Sequence, residues 1–322
     1  MKPTLTIAAT LAMVFLTAPI SRAAEPPAWA YAIPAATSAT NPPAPDTSMK
    51  HIEGSDLSFT RTQISNGFGP ADWFPGDHPP MPDIVAHGKR PDVRACALCH
   101  YPNGKGRAEN AGVSGLPASY FIQQMDDFRS GARQSAEPRK ANVHLMIAIA
   151  KGMTPDEIKA AAEYYGSMKW TPWIKVVETK TVPKTRNAGG LMLVLPGDEK
   201  EPLGDRILET PVNAEQTEVL RNPRSSFIAY VPVGSVKKGE ALVTKASAKT
   251  VQCAICHGEG LKGMGPVPGL AGRSPSYLVR QLYDMQQDAR KGEWTSLMKP
   301  VVAKLSQDDM LAIAAYTASL QP

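Results

Sequence analysis

Apolar residues recur at helical spacing in two separate parts of the chain. Over residues 119–133, and again over 276–290, they return every three or four positions, which predicts an amphipathic helix in each segment. Further along, Thr154 and Ser306 each precede a first turn rich in acidic residues, a pattern typical of a capped helix start. The pattern therefore predicts two pairs of long helices.

The segment between the two helix pairs carries a different pattern. Residues 176–177, 191–195 and 227–231 are short apolar runs separated by Gly and Pro, which indicates strands. The whole segment, 170–234, is too long and too apolar for a bare linker. We therefore expect a partly β connector that packs over one or both of its neighbours. Ser235 is expected to cap the helix that follows.

The two helix pairs belong to an internal repeat. Cys-Ala-Leu-Cys-His occupies 96–100 and Cys-Ala-Ile-Cys-His occupies 253–257, an offset of 157 residues (253 − 96). The same offset pairs Ser119 and Tyr120 with Ser276 and Tyr277, Gln124 with Gln281, Asp127 with Asp284, and Arg133 with Arg290. Beyond five extra residues in the first copy, an offset of 152 pairs Leu145 and Met146 with Leu297 and Met298. Two copies of one domain explain this agreement far better than chance does.

The N-terminal part has the features of an exported protein. Residues 1–23 combine a positive start, a short apolar stretch and small residues at the end, which predicts a cleaved signal peptide. Residues 24–48 are rich in Pro, Ala and Thr and are expected to form an extended tether. Residues 49–90 are expected to be irregular but packed, with Trp73 and Phe74 covering the first domain. The predicted organisation is a signal peptide at 1–23, a tether and extension at 24–90, a first domain at 91–169, the connector at 170–234 and a second domain at 235–322.

Composition and charge narrow the function classes. With 322 residues, 43% of them apolar and 20% charged, the chain is long and apolar enough for about two globular domains. Collagen, coiled coil and wholesale disorder are excluded. The net charge of +5, without a block of like charges, gives no reason to expect nucleic acid. No segment after the predicted signal holds 18 uninterrupted apolar residues, so we expect a soluble periplasmic protein, with an uncleaved N-terminal anchor as the minor alternative.

The repeated Cys-x-x-Cys-His motif carries the chemistry. Its two thiols can add to the two vinyl groups of one haem, and the adjoining histidine then faces the iron. The predicted attachment residues are Cys96, Cys99, Cys253 and Cys256, and the predicted iron ligands beside them are His100 and His257. A disulfide redox pair would leave both histidines unexplained. A single zinc bound by all four cysteines would have to join two distant homologous copies. We therefore expect two covalently attached c-type haems with their iron.

The second ring nitrogen of each histidine needs a partner. A ligating histidine usually donates this N–H to a backbone carbonyl. In the second copy the Gly- and Pro-rich stretch 265–272 is the candidate wall that supplies the carbonyl. The matching stretch of the first copy, 108–115, lacks prolines, and Ala111 stands where the second copy has Pro268. The two predicted haem pockets are therefore not equivalent.

Gly239, on the helix predicted ahead of the second motif, is a candidate contact point between helices. Because glycine has no side chain, the last helix could cross closely there, with Tyr316 packed beside the crossing. At an offset of 157 the equivalent of Gly239 is Pro82. The first copy therefore lacks a clean equivalent of this helix.

The chain resembles the tandem dihaem class I cytochromes c of bacterial periplasms, the c-four type. The resemblance covers about 91–168 and 235–320. It rests on CALCH, CAICH, VPGLAG, SYLVRQLYDMQ, SLMKPVV and LSQDDMLAIAAYTASL. It implies an all-α fold class, with two class I cytochrome c domains in tandem. The irregular N-terminal extension and the partly β connector depart from the family, in which the connection between the domains is short.

The resemblance also implies the sixth iron ligand. Class I haem domains take a methionine thioether from a loop late in the domain, just ahead of the last helix. Met146 and Met298 hold this place in the two copies. In the first copy His144, two residues from Met146, is the alternative ligand. Methionine ligation would raise the reduction potential relative to two histidines.

The function implied by the resemblance is the transfer of single electrons. Two six-coordinate irons would leave no site for a substrate, so we expect an electron carrier and not an enzyme. Its expected partners are redox proteins, namely an exported dehydrogenase as donor and an oxidase or another cytochrome as acceptor. One alternative is a dihaem enzyme like the cytochrome c peroxidases, which keep one iron open. Another is an obligate cytochrome subunit of a dehydrogenase complex.

Overall fold

The computed structural model describes residues 25–35 and 46–322. The predicted signal peptide at 1–23 lies outside this part, as do residues 24 and 36–45 of the predicted tether. In the described part, no helix is both long enough and apolar enough to cross a lipid bilayer. The two repeat copies are built from helices, whereas strands occur in the N-terminal extension and the connector. All-α therefore describes the two copies and not the whole chain.

The N-terminal region is packed, and this includes residues 25–35, for which the sequence predicts a tether. Its elements are α1 (Ala28–Tyr31), β1 (Met49–His51), β2 (Ser58–Thr60), α2 (Arg61–Ile64), a 3₁₀ turn (Pro75–Asp77) and α3 (Asp83–Ala86). Helix α1 places Ala30 and Tyr31 in the core of the second copy. The Tyr31 hydroxyl donates a hydrogen bond of 2.7 Å to Asp284. The prediction of an extended tether is therefore wrong for residues 25–35, because burial of these side chains offsets the cost of ordering the segment.

Trp73 and Phe74 pack against the connector and not, as predicted, mainly against the first domain. They form a buried cluster with Leu220, and the Trp73 indole N–H donates to the Leu220 carbonyl at 2.6 Å. The extension still reaches the first copy, where the His78 ring lies edge-on to Tyr164 at 6.2 Å. The prediction failed because no local pattern of residues places the connector beside the extension.

The first copy consists of four helices after the extension: α4 (Cys96–His100), α5 (Ala118–Ser130), α6 (Ala141–Gly152) and α7 (Pro155–Gly166). The predicted cap of α7 is confirmed. The Thr154 hydroxyl accepts from the Glu157 N–H at 3.2 Å, and the Glu157 carboxylate accepts from the Thr154 N–H at 2.7 Å. Ile84 and Val85 of α3 belong to the core of this copy. The copy therefore has a single helical turn ahead of its motif helix.

The connector contains the three predicted strands and several more. Its elements are β3 (Ile174–Glu178), β4 (Thr181–Pro183), β5 (Thr185–Ala188), β6 (Leu191–Val194), β7 (Lys200–Pro202), β8 (Leu208–Pro211), α8 (Ala214–Glu218) and β9 (Phe227–Val231). Strand β9 lies between β3, which is parallel to it, and β8, which is antiparallel; β4 pairs with β7 and β5 with β6. Val231 packs in the core of the second copy, and Trp173 packs with Tyr101 of the first. The connector was predicted to pack over one or both copies, and it packs over both.

The second copy has one more long helix than the first. Its elements are α9 (Ser235–Thr244), α10 (Ala254–His257), a 3₁₀ turn (Glu259–Leu261), α11 (Pro275–Gln286), α12 (Thr295–Val302) and α13 (Gln307–Ser319). The cap of α9 is Gly234, and the prediction of Ser235 is wrong. The Glu178 carboxylate of β3 accepts from the N–H groups of Gly234 and Val236, at 2.8 and 3.1 Å. A carboxylate from another element thus satisfies the donors at this helix start.

The close crossing predicted at Gly239 is confirmed. A Cβ atom at this position would lie 1.9 Å from the carbonyl oxygen of Ala312 and 2.7 Å from the Cβ of Tyr316. Helices α9 and α13 therefore touch backbone to backbone, which only glycine permits. Helix α13 starts as predicted, because Ser306 and Asp309 form the reciprocal capping hydrogen bonds that Thr154 and Glu157 form in the first copy.

Candidate haem sites

The first cavity brings together the residues predicted for the first haem. Helix α4 places Cys96, Cys99 and His100 on its wall, and α6 contributes Met146. Apolar residues make up much of the remaining wall: Ala111, Val113, Leu116, Phe121, Met125, Phe128, Val143, Leu145 and Ile149. The free space, including the open mouth, is about 1320 Å³. A large apolar space with two thiols, an imidazole and a thioether on its wall fits a covalently attached haem.

The second cavity repeats this arrangement. Cys253, Cys256 and His257 stand at α10, and Met298 comes from α12. The free space, again with the mouth, is about 1580 Å³. All four cysteines of the chain lie in the described part, and none of them is in a disulfide.

Both motif histidines are held in one orientation by a backbone carbonyl. The Nδ1 atom of His100 lies 2.8 Å from the carbonyl oxygen of Ala111, and that of His257 lies 2.8 Å from the carbonyl oxygen of Pro268. Both carbonyls lie in the stretches that the sequence pointed to, 108–115 and 265–272, which confirms that these stretches supply the walls. Burial lowers the pKa of both histidines and favours neutral rings. A neutral ring that donates through Nδ1 leaves Nε2 as the nitrogen that can bind iron.

The structure distinguishes between His144 and Met146, the two candidate ligands of the first copy. His144 is exposed, and its Nε2 atom lies 2.7 Å from the Pro138 carbonyl oxygen, away from the residues that line the cavity. Met146 lines the cavity instead. Other methionines also line the cavities, but each has a leucine or phenylalanine at the equivalent repeat position. Among the described lining residues, only Met146 and Met298 are methionines at equivalent positions of the repeat. They lie on helices α6 and α12 and not on the predicted loops.

The two cavities meet at one set of residues, the shared wall. It consists of the five residues that line both cavities: Leu116, Tyr120, Gln124, Tyr277 and Gln281. Four of the five are equivalent pairs of the repeat, so each copy contributes the same tyrosine and glutamine. The two predicted haem sites are therefore neighbours, despite the long connector.

Two arginines fasten the shared wall through equivalent hydrogen bonds. Arg133 of the first copy donates to the Tyr277 hydroxyl at 2.9 Å, and Arg290 of the second copy donates to the Tyr120 hydroxyl at 2.9 Å. The backbones of the two arginines also pair as an antiparallel bridge. Both arginines are almost fully buried. Their identity in the two copies is the sequence signal from which a shared role could have been predicted.

The surfaces around the two motifs differ in exposure. Leu98, inside the first motif, is 5% exposed, whereas the equivalent Ile255 is 64% exposed. The connector covers the first motif, where Arg221 donates to the Leu98 carbonyl at 2.6 Å. Around the second motif lies a group of exposed apolar side chains, here called the second rim: Val251, Ile255, Met264, Trp294 and Leu297. Among the described residues, none of the large exposed apolar side chains lies between 91 and 169.

Known proteins share these features. The family described as Cytochrome c matches residues 85–169. Cytochrome c4 of Pseudomonas aeruginosa is 34% identical over 232 residues, which cover 70% of this chain and 83% of that protein. The chain belongs to the cytochrome c4 family. The fold expected from the sequence resemblance, a cytochrome c fold in two copies, agrees with this membership.

Two further similar proteins bear names that refer to thiosulfate oxidation. The thiosulfate dehydrogenase electron acceptor of Stutzerimonas stutzeri is 27% identical over 237 residues, covering 72% of this chain and 82% of that protein. The solved thiosulfate dehydrogenase of Marichromatium purpuratum has a TM-score of 0.48 and 25% identity, and the match covers 72% of this chain and 38% of that one.

Membership of the cytochrome c4 family decides the cofactor and the general role. The chain binds haem c covalently, with its iron, as was expected from the two motifs. It is an electron-transfer cytochrome. The similar proteins are electron-transfer cytochromes and electron acceptors, which confirms the prediction that the chain itself is not an enzyme.

Proposed function

We propose that this chain is a periplasmic dihaem cytochrome that accepts single electrons from an exported dehydrogenase and passes them to an oxidase or another cytochrome. Thiosulfate dehydrogenase is the donor favoured here, because the similar protein of Stutzerimonas stutzeri is named as an electron acceptor of this enzyme. The features of an exported protein at the N-terminus support the periplasmic location.

Each haem site has a defined set of residues in this proposal. Cys96 and Cys99 attach the first haem, with His100 and Met146 as iron ligands. The second set is Cys253, Cys256, His257 and Met298. When bound, the haem supplies a centre that gains and loses one electron. The chain would hold each histidine through its Nδ1 hydrogen bond, supply a methionine thioether as the second protein ligand, and keep water from the buried histidine ring.

The observation that carries the proposal is the shared wall. Tyr120 and Tyr277 each line both cavities, so a single layer of side chains separates the two haem sites. An electron that enters at one site thus has a short route to the other. A chain with two neighbouring one-electron centres and no open ligand position suits relay between partners and does not suit catalysis on a substrate.

The second rim is the surface at which the proposed partner docks. Its five apolar side chains surround the second motif, whereas the equivalent surface of the first copy is covered by the connector. The segments that carry the rim, 245–264 and 288–304, hold six lysines and three acidic residues. The partner is therefore expected to be a redox protein whose docking face is apolar at its centre and acidic at its edge.

The direct test is electron delivery by the proposed donor. The oxidised holoprotein is mixed without oxygen with thiosulfate dehydrogenase and thiosulfate, and the absorption of both haems is followed. Reduction of both haems is expected, with a bimolecular rate that falls as salt rises, because the docking face is charged. If neither haem is reduced while the dehydrogenase reduces another acceptor, thiosulfate oxidation is the wrong source. If the protein is purified from its native host only in a complex with a dehydrogenase, it is an obligate subunit and not a free carrier.

A further inference from the structure

The Arg273 side chain donates three hydrogen bonds to backbone carbonyls, and two of these carbonyls belong to the first copy. Its Nε atom donates to the Gly269 carbonyl at 2.7 Å, within its own copy. Its Nη1 and Nη2 atoms donate to the carbonyls of Gly112 and Ser114 in the first copy, at 2.9 and 3.2 Å. The side chain lines the second cavity, and the residue is 6% exposed. Side-chain burial of this kind is rare for arginine unless its donors are satisfied.

The carbonyls that Arg273 joins are equivalent positions of the repeat. Gly112 and Gly269 are separated by the repeat offset of 157 residues. Gly112 follows Ala111, whose carbonyl holds His100, and Gly269 follows Pro268, whose carbonyl holds His257. The hydrogen bonds of one guanidinium group therefore link the two backbone stretches that orient the two motif histidines.

The guanidinium is also a fixed charge between the two sites. Burial lowers its pKa to about 10, which leaves it cationic at neutral pH. Its hydrogen-bond partners among the described residues are backbone carbonyls and no carboxylate, and its Cζ atom lies over the Trp170 ring, 4.5 Å from the ring centroid. The first copy has no matching arginine, since the equivalent of Arg273 is Leu116. Among the described residues, the hydrogen bonds that join these two backbone stretches thus come from Arg273.

We propose that Arg273 is a positioning residue that couples the two haem sites. It fixes the two backbone stretches in which the carbonyls of Ala111 and Pro268 accept from His100 and His257, and its charge stabilises the reduced state of both haems. The inference rests on the proposed function only in taking these two histidines as the iron ligands. A change at Arg273 is therefore expected to move both reduction potentials together, although Arg273 belongs to the second copy.

Two substitutions separate the charge from the geometry. Arg273→Gln removes the charge and retains one donor group, so both potentials should fall. The expected change is about tenfold in each one-electron reduction equilibrium, which corresponds to about 59 mV. Arg273→Lys keeps the charge but loses the fork that reaches both copies. It should shift the histidine ring signals in NMR spectra of both haem sites while the potentials change less.

Lys105→Met is the matched control. Lys105 is also a buried cation over the Trp170 ring, at 4.4 Å from its centroid, but its ammonium donates to the Thr171 carbonyl at 2.6 Å and to neither histidine wall. This variant should move the second haem's potential less than Arg273→Gln does, and it should leave the NMR signals of His257 unchanged.

An optical redox titration and NMR of the holoproteins decide the inference. It is overturned if Arg273→Gln moves the potential of one haem only or of neither, or if Lys105→Met moves both potentials as far. Failure of the ligand assignment would look different. In that case the unaltered protein would already show a ligand other than histidine at one iron, whatever residue stands at position 273.

Discussion

The two copies carry the same motif but present it to solvent in opposite ways. In the first copy Leu98 is buried under Arg221 of the connector, while in the second copy Ile255 is largely exposed in the second rim. The motif residues themselves cannot cause this difference, because they are nearly identical. The difference comes from the connector, which covers the first motif, and it is the basis for proposing that a partner docks at the second copy.

One residue after each motif shows how the covering is built. Tyr101 and Gly258 occupy the same place and both have positive φ, 63° and 76°. Glycine adopts this conformation without strain, whereas a tyrosine there costs about 1–3 kcal/mol. The Tyr101 ring is 1% exposed and packs with Trp173 of the connector, so burial offsets the strain. The backbone conformation at Tyr101 thus depends on packing against the connector.

The largest effect is expected at the helix crossing that only the second copy has. Gly239→Val would place a branched side chain where even a Cβ lies 1.9 Å from a backbone oxygen. Because a backbone atom cannot move aside as a side chain can, the loss should exceed the roughly 1–3 kcal/mol of ordinary overpacking. Thermal unfolding of the holoprotein should show the second haem site melting early and the first one close to its normal temperature.

Gly76→Ala is the control for this prediction. A Cβ at Gly76 would meet no atom within 4 Å. Its effect should stay within about 0.5 kcal/mol. A Gly239→Val protein as stable as the control would show that α9 and α13 do not cross as closely as described.

The next largest effect on stability is expected when the covered motif of the first copy is compared with the exposed motif of the second. Leu98→Ala should destabilise the protein by about 2–3 kcal/mol, because it leaves a cavity under the connector. Ile255→Ala, at the equivalent exposed position, should change stability by less than about 0.5 kcal/mol. Denaturant unfolding of both variants provides the comparison. Equal losses would mean that the connector does not cover the first motif in solution.

A smaller effect is expected on partner contact. Ile255→Glu places a negative charge in the second rim, where the proposed partner is apolar at its centre and acidic at its edge. The bimolecular rate of reduction by the donor should fall about tenfold, which corresponds to about 1.4 kcal/mol. Val233→Glu is the control, since Val233 is 63% exposed but lies outside the rim. If both variants slow the reaction equally, the effect is one of net charge and the rim is not the docking surface.

The smallest expected effect is on folding stability, and it depends on pH. It concerns the N-terminal caps of α13 in the second copy and α7 in the first. Burial by itself would raise the pKa of Asp309, but hydrogen bonds from Lys249 and from the Ser306 N–H outweigh it and hold the pKa below the usual value. A lowered pKa stabilises the fold above the unfolded-state pKa of about 3.9, and this stability is lost as the pH falls through the folded-state value. Asp309→Asn should therefore cost about 1 kcal/mol at neutral pH and almost nothing in strong acid.

Glu157→Gln is the first-copy counterpart of this substitution. Its carboxylate is 27% exposed, against 2% for Asp309, so the cost should be smaller. Stability measured against pH for the two variants checks the ranking. A larger pH-dependent loss in Glu157→Gln would contradict it.

The sequence predicted the parts of the molecule in which a local pattern decides the structure. The helix caps at Thr154 and Ser306, the Gly239 crossing and the Ala111 and Pro268 carbonyls all follow from repeat position or from short-range chemistry. The packing of residues 25–35 and the contact between Trp73 and the connector did not follow. They depend on which distant surfaces meet, and an apolar side chain alone does not specify its partner.

The candidate sites divide in the same way. The motif residues, Met146 and Met298 are visible from spacing and repeat position, and the structure places each copy's set on the wall of its own cavity. The shared wall and the reach of Arg273 into the first copy arise only when the two copies are docked. Arg273 in particular lacks a repeat partner, so no comparison of the copies would single it out.

The most direct test of the account is the identity of the sixth ligand at both irons. Near-infrared magnetic circular dichroism of the oxidised holoprotein should show the charge-transfer band of thioether ligation for both haems. Met146→Leu and Met298→Leu should each remove about half of that intensity, while His144→Ala should leave it unchanged. A first haem that lacks the band in the unaltered protein, or that loses its normal spectrum in His144→Ala, would contradict the account.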